Sequence, residues 1–275
     1  MAKTKFLWPL LACLIALTFA LFGCSSNNSQ TESTQSTSSN NASSDYKLIE
    51  EGTLTVASSL DYPPFENLEN GQAVGLDIDI ANEIANELGL TVQVKNLQFD
   101  TILAGIAAGG QADIGISGFT VDPERQKTVD FSTSYYTDDL AVAAPKGGDV
   151  NKNNAAEKLN QKGVIIAVQS GTSGEDYCKE NYPNATIQPF GNSTDAFAAM
   201  AAGQANYVCT NYAVVQKMLK TSYSDAEVVL PIATGEEYAI AISKDNPELL
   251  KAVNNAIDKL KNSGKIEELT TKWLG

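Results

Sequence analysis

One stretch of this chain is written twice. Asp100–Asp113 lies without gaps on Ser193–Asn206, and Thr101, Ala108, Gly110, Gln111 and Ala112 agree with Thr194, Ala201, Gly203, Gln204 and Ala205. Each copy reads as a capping residue, a helix of small residues, a glycine stop, then Gln-Ala entering a strand. Two unrelated helix–strand units would fit the same pattern, because small residues let any helix pack closely on a sheet. Agreement at a single offset favours two related α/β lobes.

The surrounding periodicity fills in those lobes. Leu54–Ser58 reads as a buried strand. Ala81, Ile84, Ala85 and Leu88 recur at helical spacing up to Gly89, and Val92–Val94 is the next strand. The apolar run Leu140–Ala144 is long enough to cross between lobes, Val164–Val168 opens the second lobe, and Tyr238–Ser243 reads as a crossing back. Asn246-Pro247 caps a long helix with Leu249, Leu250, Val253, Ile257 and Leu260 on its inner face. Gly264 stops it, and Ile266, Leu269 and Trp273 mark a last helix. The expected layout is therefore a discontinuous first lobe, residues 46–142 and 239–275, around a second lobe, residues 143–238. Two crossings make a hinge, with ligand caught in the cleft between.

Ile114–Arg125 carries the most chemistry. A strand over Ala112–Ile116 runs into Ser117-Gly118, where a missing side chain lets backbone N–H groups approach a ligand. Thr120 adds a hydroxyl. Asp122-Pro123 starts a short helix, Asp as N-cap and Pro at the first position, which aims Arg125 back at the same spot. A guanidinium grips both oxygens of a carboxylate through two parallel bonds, so this is a candidate carboxylate socket. The alternative is a strand–turn–helix whose arginine pairs with Glu124 or Asp122. Gly171-Thr172-Ser173-Gly174 leads into a helix around Glu175–Glu180, which reads either as a second anion site or as plain N-capping by Thr172 or Ser173. Asp61-Tyr62-Pro63-Pro64-Phe65-Glu66 is a rigid loop that holds Tyr62 and Phe65.

Composition narrows the function. The 275 residues contain no histidine, which excludes Ser-His-Asp, Cys-His and His-metal chemistry. With 19 basic against 33 acidic residues, nucleic acid and anionic membrane surfaces are not expected partners. No metal or other cofactor is expected, since the acid clusters lack an EF-hand-like loop. Lys3 and Lys5 followed by the apolar Phe6–Phe22 read as a secretory leader over residues 1–23, ending in Leu21-Phe22-Gly23-Cys24. That ending resembles a bacterial lipobox, in which Cys24 becomes the lipid-bearing N-terminus. The other reading is a single membrane anchor, for which the apolar run is at the lower limit of length. Residues 24–45, almost all Ser, Asn, Thr and Gln, are expected to be a disordered tether. Cys178 and Cys209 remain in an oxidising setting and could pair, but an apolar strand around Cys209 favours two free thiols.

Taken together, Asp61–Glu66, Gly75–Ile80, Ile116–Arg125, Val129–Ser132 with Tyr135-Tyr136, and Val168–Thr172 resemble the extracytoplasmic substrate-binding proteins of polar amino-acid ABC importers, the family 3 solute-binding proteins. The likeness covers about Leu54–Leu274. It implies a two-lobed, type II periplasmic-binding-protein-like α/β fold with two hinge crossings. The implied protein is a lipid-anchored monomer outside the cell membrane that captures an amino acid or small carboxylate and delivers it to a membrane permease. The resemblance places Arg125 on the ligand carboxylate, helped by Thr120 and by N–H groups near Gly118 and Thr172, and Ser117 at the amino end. Tyr62 and Phe99 would sandwich the ligand side chain, and Gln169, Thr172 and Ser173 would close from the second lobe.

Two departures stand out. The family's ammonium-binding Asp is here Asn211, and a second acid common three residues before the loop aromatic is here Ser59. Both remove negative charge, so the expected ligand is a neutral polar amino acid or a carboxylate without an ordinary α-amino group, and lysine- or arginine-like ligands are expected to fit poorly. A catalytic relative, such as a periplasmic dehydratase, would need a cleft acid, and Glu66, expected at the surface, is the one nominee. A sensory ligand-binding domain would need a signalling segment after Gly275. Neither is the expected reading.

Overall fold

Two larger sheets, each with a parallel strand pair at one edge, set the architecture of this computed structural model, which describes residues 46–275. The expected leader 1–23, tether 24–45 and lipid-bearing Cys24 lie outside the described residues. In chain order the first part contains β1 (Thr53–Ser58), β2 (Asp61–Tyr62), β3 (Glu66–Glu69), β4 (Gln72–Val74), α1 (Leu76–Leu88), β5 (Thr91–Asn96), α2 (Phe99–Ala108), β6 (Ile114–Gly115), α3 (Arg125–Thr128) and β7 (Asp130–Phe131). The second part contains β8 (Tyr136–Pro145), α4 (Ala155–Leu159), β9 (Ile165–Gln169), α5 (Ser173–Asn181), β10 (Thr186–Phe190), α6 (Ser193–Ala201), β11 (Tyr207–Asn211), α7 (Tyr212–Thr221) and β12 (Ala226–Tyr238). The chain then returns through β13 (Ala241–Ile242), α8 (Pro247–Asn262) and α9 (Lys265–Leu274).

The two larger sheets have the orders β5-β1-β6-β13-β7 and β10-β9-β11-β8-β12, and β2-β3-β4 forms a small third sheet. Fold class is thus α/β and two-lobed. The repeated segments occupy equivalent places: α2 leads into β6 and α6 into β11. Each of these strands lies between a parallel neighbour, β1 or β9, and an antiparallel one, β13 or β8.

Leu140–Ala144, expected as a crossing, lies inside β8, between β11 and β12. An apolar run buried on both faces is a strand interior, and a linker exposed at a hinge has no reason to be so apolar. The sheet change falls earlier, between β7 and Tyr136, and the return falls at Ala239-Ile240 between β12 and β13.

Local sequence explains the main helices. α1 buries Leu76, Ile80, Ala81 and Ile84 in the core that also holds Leu54 and Val56 of β1 and Val253 and Ile257 of α8. It stops at Gly89, whose left-handed φ of 70° suits a residue without Cβ. α8 begins with Pro247 at its first turn and buries Leu249, Val253, Ala256, Ile257 and Leu260. The core continues from one lobe into the other through the hinge, where the Phe65 ring lies 5.2 Å from Tyr136 and 5.1 Å from Tyr238. Cys178 and Cys209 are both free and buried. No helix among the described residues is long and apolar enough to cross a membrane.

Candidate functional site

Arg125 lies at the start of α3, as the Asp122-Pro123 signal suggests, although the helix begins one residue after Glu124 and has only four residues. Asp122 still organises the turn, its Oδ1 accepting the N–H groups of Glu124 (2.8 Å) and Arg125 (2.9 Å). The guanidinium combines both readings open from sequence. Its Nε pairs with Asp122 at 3.1 Å, Nη1 donates to the Thr120 carbonyl at 2.8 Å, and Nη2 reaches across to the Gly171 carbonyl at 2.9 Å. Its side chain is 12% exposed and stands over the Phe99 ring, 5.7 Å from the centroid. Burial pulls the guanidinium pKa below its usual value, and Asp122 and Glu236 oppose that shift.

Arg125, Thr120, Gly118, Tyr62 and Phe99 from the first lobe meet Thr172, Ser173 and Asn211 from the second around one cavity of about 10 Å³. That is room for about one water, so any organic ligand can enter only when the lobes part. Thr172 caps α5, its Oγ1 accepting the Glu175 N–H at 3.2 Å, while the Tyr62 hydroxyl bonds Thr210 Oγ1 and Asn211 Oδ1, each at 2.6 Å. A larger crevice of about 560 Å³ opens beside it, lined by Asp61, Asn96, Gln98 and Asn192 among others, and has no cation in its lining. The chemistry for an anion is therefore in the small cavity.

The remaining candidates stand behind this surface. Ser117 Oγ donates to Glu66 Oε1 (2.6 Å) and accepts the Ser59 N–H (3.1 Å). Ser59 Oγ donates to Asp61 (2.6 Å), and Gln169 Nε2 donates to Asp61 and to the Gly191 carbonyl, each at 3.3 Å. The Gly118 N–H, expected to face a ligand, donates inward to Asp77 Oδ2 at 2.7 Å. The expectation of a surface Glu66 is corrected outright, since this residue is fully buried. The Ser117-Gly118 turn closes over it, which a rim position in the loop sequence does not reveal.

Glu66 and Asp77 form a buried acid pair beneath the turn. Burial, with the Asp77 charge adding to it, pushes Glu66 well above the usual carboxylate range, and burial raises Asp77 to about 6. Glu66 Oε2 and Asp77 Oδ1 have no other hydrogen-bond partner, which fits one proton shared between the two groups. Burial also raises Asp138, in β8, to about 6. A raised native pKa means that the folded state holds protons the unfolded chain has already released. The stability from Asp77 and Asp138 is therefore present below pH ~4 and is lost as pH rises through ~6. Thermal melts should show a lower Tm at about pH 7.5 than at about pH 5, and Asp138→Asn should flatten part of that slope. A Tm that rises steadily across this window would contradict the assignment.

One residue that bonds the cavity lining went unread in the sequence. Glu236 of β12 is 9% exposed, and its Oε2 accepts from Thr120 Oγ1 (3.0 Å), Ser173 Oγ (3.0 Å) and Asn211 Nδ2 (2.7 Å). The available signal was its place two residues before Tyr238, where the second crossing begins. Alternation along a strand puts both side chains on one face.

Residues 54–275 match the bacterial extracellular solute-binding proteins, family 3. The chain is 29% identical over 270 residues to the arginine-binding extracellular protein ArtP of Bacillus subtilis (strain 168), covering 97% of each. It is similar to the solved structure of an ancestral arginine-binding protein bound to arginine, with a TM-score of 0.77 and 34% identity over 82% of this chain and 99% of that one. It is also similar to the ancestral amino acid-binding protein AncCDT-1, a precursor of cyclohexadienyl dehydratase, with a TM-score of 0.76 and 38% identity over 82% and 96% of the two chains.

Proposed function

Since the chain belongs to the bacterial extracellular solute-binding proteins of family 3, we propose that it captures an amino acid in the interlobe cleft and hands it to the permease of an ABC importer. In this reading Cys24 carries the lipid that keeps it at the outer face of the cell membrane. The observation that carries the reading is the cavity in which one guanidinium, two hydroxyl groups and the start of α5 converge from both lobes. The names of the relatives, which bind arginine or other amino acids, point the same way.

The mechanism is closure. A ligand carboxylate takes over Arg125 Nη2 from the Gly171 carbonyl and meets the first turn of α5, whose free N–H groups and positive dipole end favour an anion. Arg125 belongs to the first lobe and α5 to the second, so both sets of contacts exist only in the closed state. The ligand therefore shifts the population toward closure.

Glu66, the acid a catalytic relative would use, lies behind the Ser117-Gly118 turn with no face on the cavity. Capture without turnover is the reading it supports. A thermal-shift screen with the standard amino acids tests it. At a ligand concentration about 100 times Kd the gain is ~2.7 kcal/mol, or a Tm rise of about 5–10 °C for a chain of this size. No shift with any amino acid would refute capture, and consumption of the ligand on incubation would favour catalysis.

A further inference from the structure

Capture of an amino acid, the reading on which this inference rests, needs a counter-charge for the ammonium group, and Asn211 carries none. We propose that Glu236 is that counter-charge, the anionic half of the subsite, with Asn211 as the positioning residue that holds it.

An ammonium presents three donors and no acceptor. Once Arg125 fixes the ligand carboxylate, the ammonium is one carbon away and must find acceptors among Thr120 and Asn211, which line the cavity, and Glu236, which stands directly behind them and bonds both. The Asn211 amide is already oriented: its Oδ1 accepts from the Tyr62 hydroxyl at 2.6 Å, and its Nδ2 donates to Glu236 at 2.7 Å. Its carbonyl oxygen is thus already engaged, and the amide brings no charge. Glu236 presents a carboxylate on which Thr120 and Asn211, from opposite lobes, converge with Ser173 at a single oxygen. Among the described residues no lysine or arginine lies within ion-pair distance of it. The nearest guanidinium, Arg125, is paired with Asp122.

Position makes Glu236 apt for this role. It sits where the β12–β8 register shifts between Ile232 and Glu236, next to the hinge, so its carboxylate faces both lobes. In the closed cleft it accepts the donors that a ligand ammonium would supplement or replace. The negative charge missing at Asn211 thus returns from a strand far away in sequence, and the cleft suits ligands that carry an α-ammonium group.

The test compares two ligands on three proteins. The standard amino acids are first titrated by calorimetry into the wild-type protein, and the tightest is compared with its des-amino acid. Glu236→Gln should weaken the amino acid by at least about 30-fold, the loss typical of removing one partner of a buried charge pair. The des-amino acid should bind equally or more tightly, because its negative charge no longer faces another. Asn211→Asp added to Glu236→Gln should restore amino-acid binding. Amino-acid affinity within about threefold of wild type in Glu236→Gln, or equal losses for both ligands, would overturn the assignment. If Glu236→Gln fails to fold by circular dichroism, Glu236→Asp carries the same comparison, with a smaller selective loss expected from the retracted charge. A wild-type protein that binds no amino acid would sink the capture reading itself.

Discussion

Arg125→Ala is expected to weaken amino-acid binding by roughly 100- to 1,000-fold, the range for truncating one partner of a desolvated, hydrogen-bonded charge pair. Two losses combine. The ligand carboxylate would enter a cleft already holding Glu236 and Asp122 with no cation to offset them. The bound carboxylate would also lose the Nη2 donor that it takes over from the Gly171 carbonyl, and with it a tie between the lobes. Arg125→Lys separates charge from shape: it keeps a cation but loses the fork that holds Thr120, Asp122 and Gly171 together, so its affinity should fall between the two. Calorimetry on the three proteins checks the order. Wild-type affinity in the alanine variant would remove Arg125 from the site.

Gly75→Ala should cost about 3 kcal/mol or more of folding stability, a loss reserved for strained or overpacked positions. Gly75 has φ 137°, and a Cβ there would stand 2.0 Å from the Phe65 carbonyl oxygen and 2.5 Å from its carbon. Backbone on that side cannot yield easily. The Leu76 and Asp77 N–H groups donate to the carbonyls of Pro64 and Phe65, and the Phe65 ring packs the hinge against Tyr136 and Tyr238. Gly89→Ala is the control. It has φ 70° but nothing within 4 Å of its added carbon, so only the left-handed penalty of about 1–2 kcal/mol applies. Urea unfolding of both variants should show the larger loss at Gly75, and equal losses would mean that the close approach is relieved at no cost.

How much was legible depended on the range of the interaction involved. The duplicated helix–strand unit, the stops at Gly89 and Gly264, and the capping of α5 by Thr172 all follow from neighbours a few residues apart. Arg125 was legible because its turn is local: Asp122, Thr120 and the guanidinium sit within six residues of one another. Leu140–Ala144 misled because apolarity reports burial without saying what does the burying. A strand flanked by two others and a crossing between lobes read alike until the partners are known.

Taken alone, the amino-acid sequence determined that there are two α/β units, where their helices stop, and that a guanidinium turn lies at the end of one strand. Hydrophobic period, caps and turns are settled within a few residues. Only the tertiary structure decided the charge balance at the cleft. Glu236 meets Thr120 across 116 positions of chain and Asn211 across 25, while Glu66 meets Ser117 across 51. Whether an acid is a solvated surface group, half of a buried pair or a face of a binding site depends on what the fold brings against it. Electrostatic energy depends on distance and burial, and sequence separation gives neither.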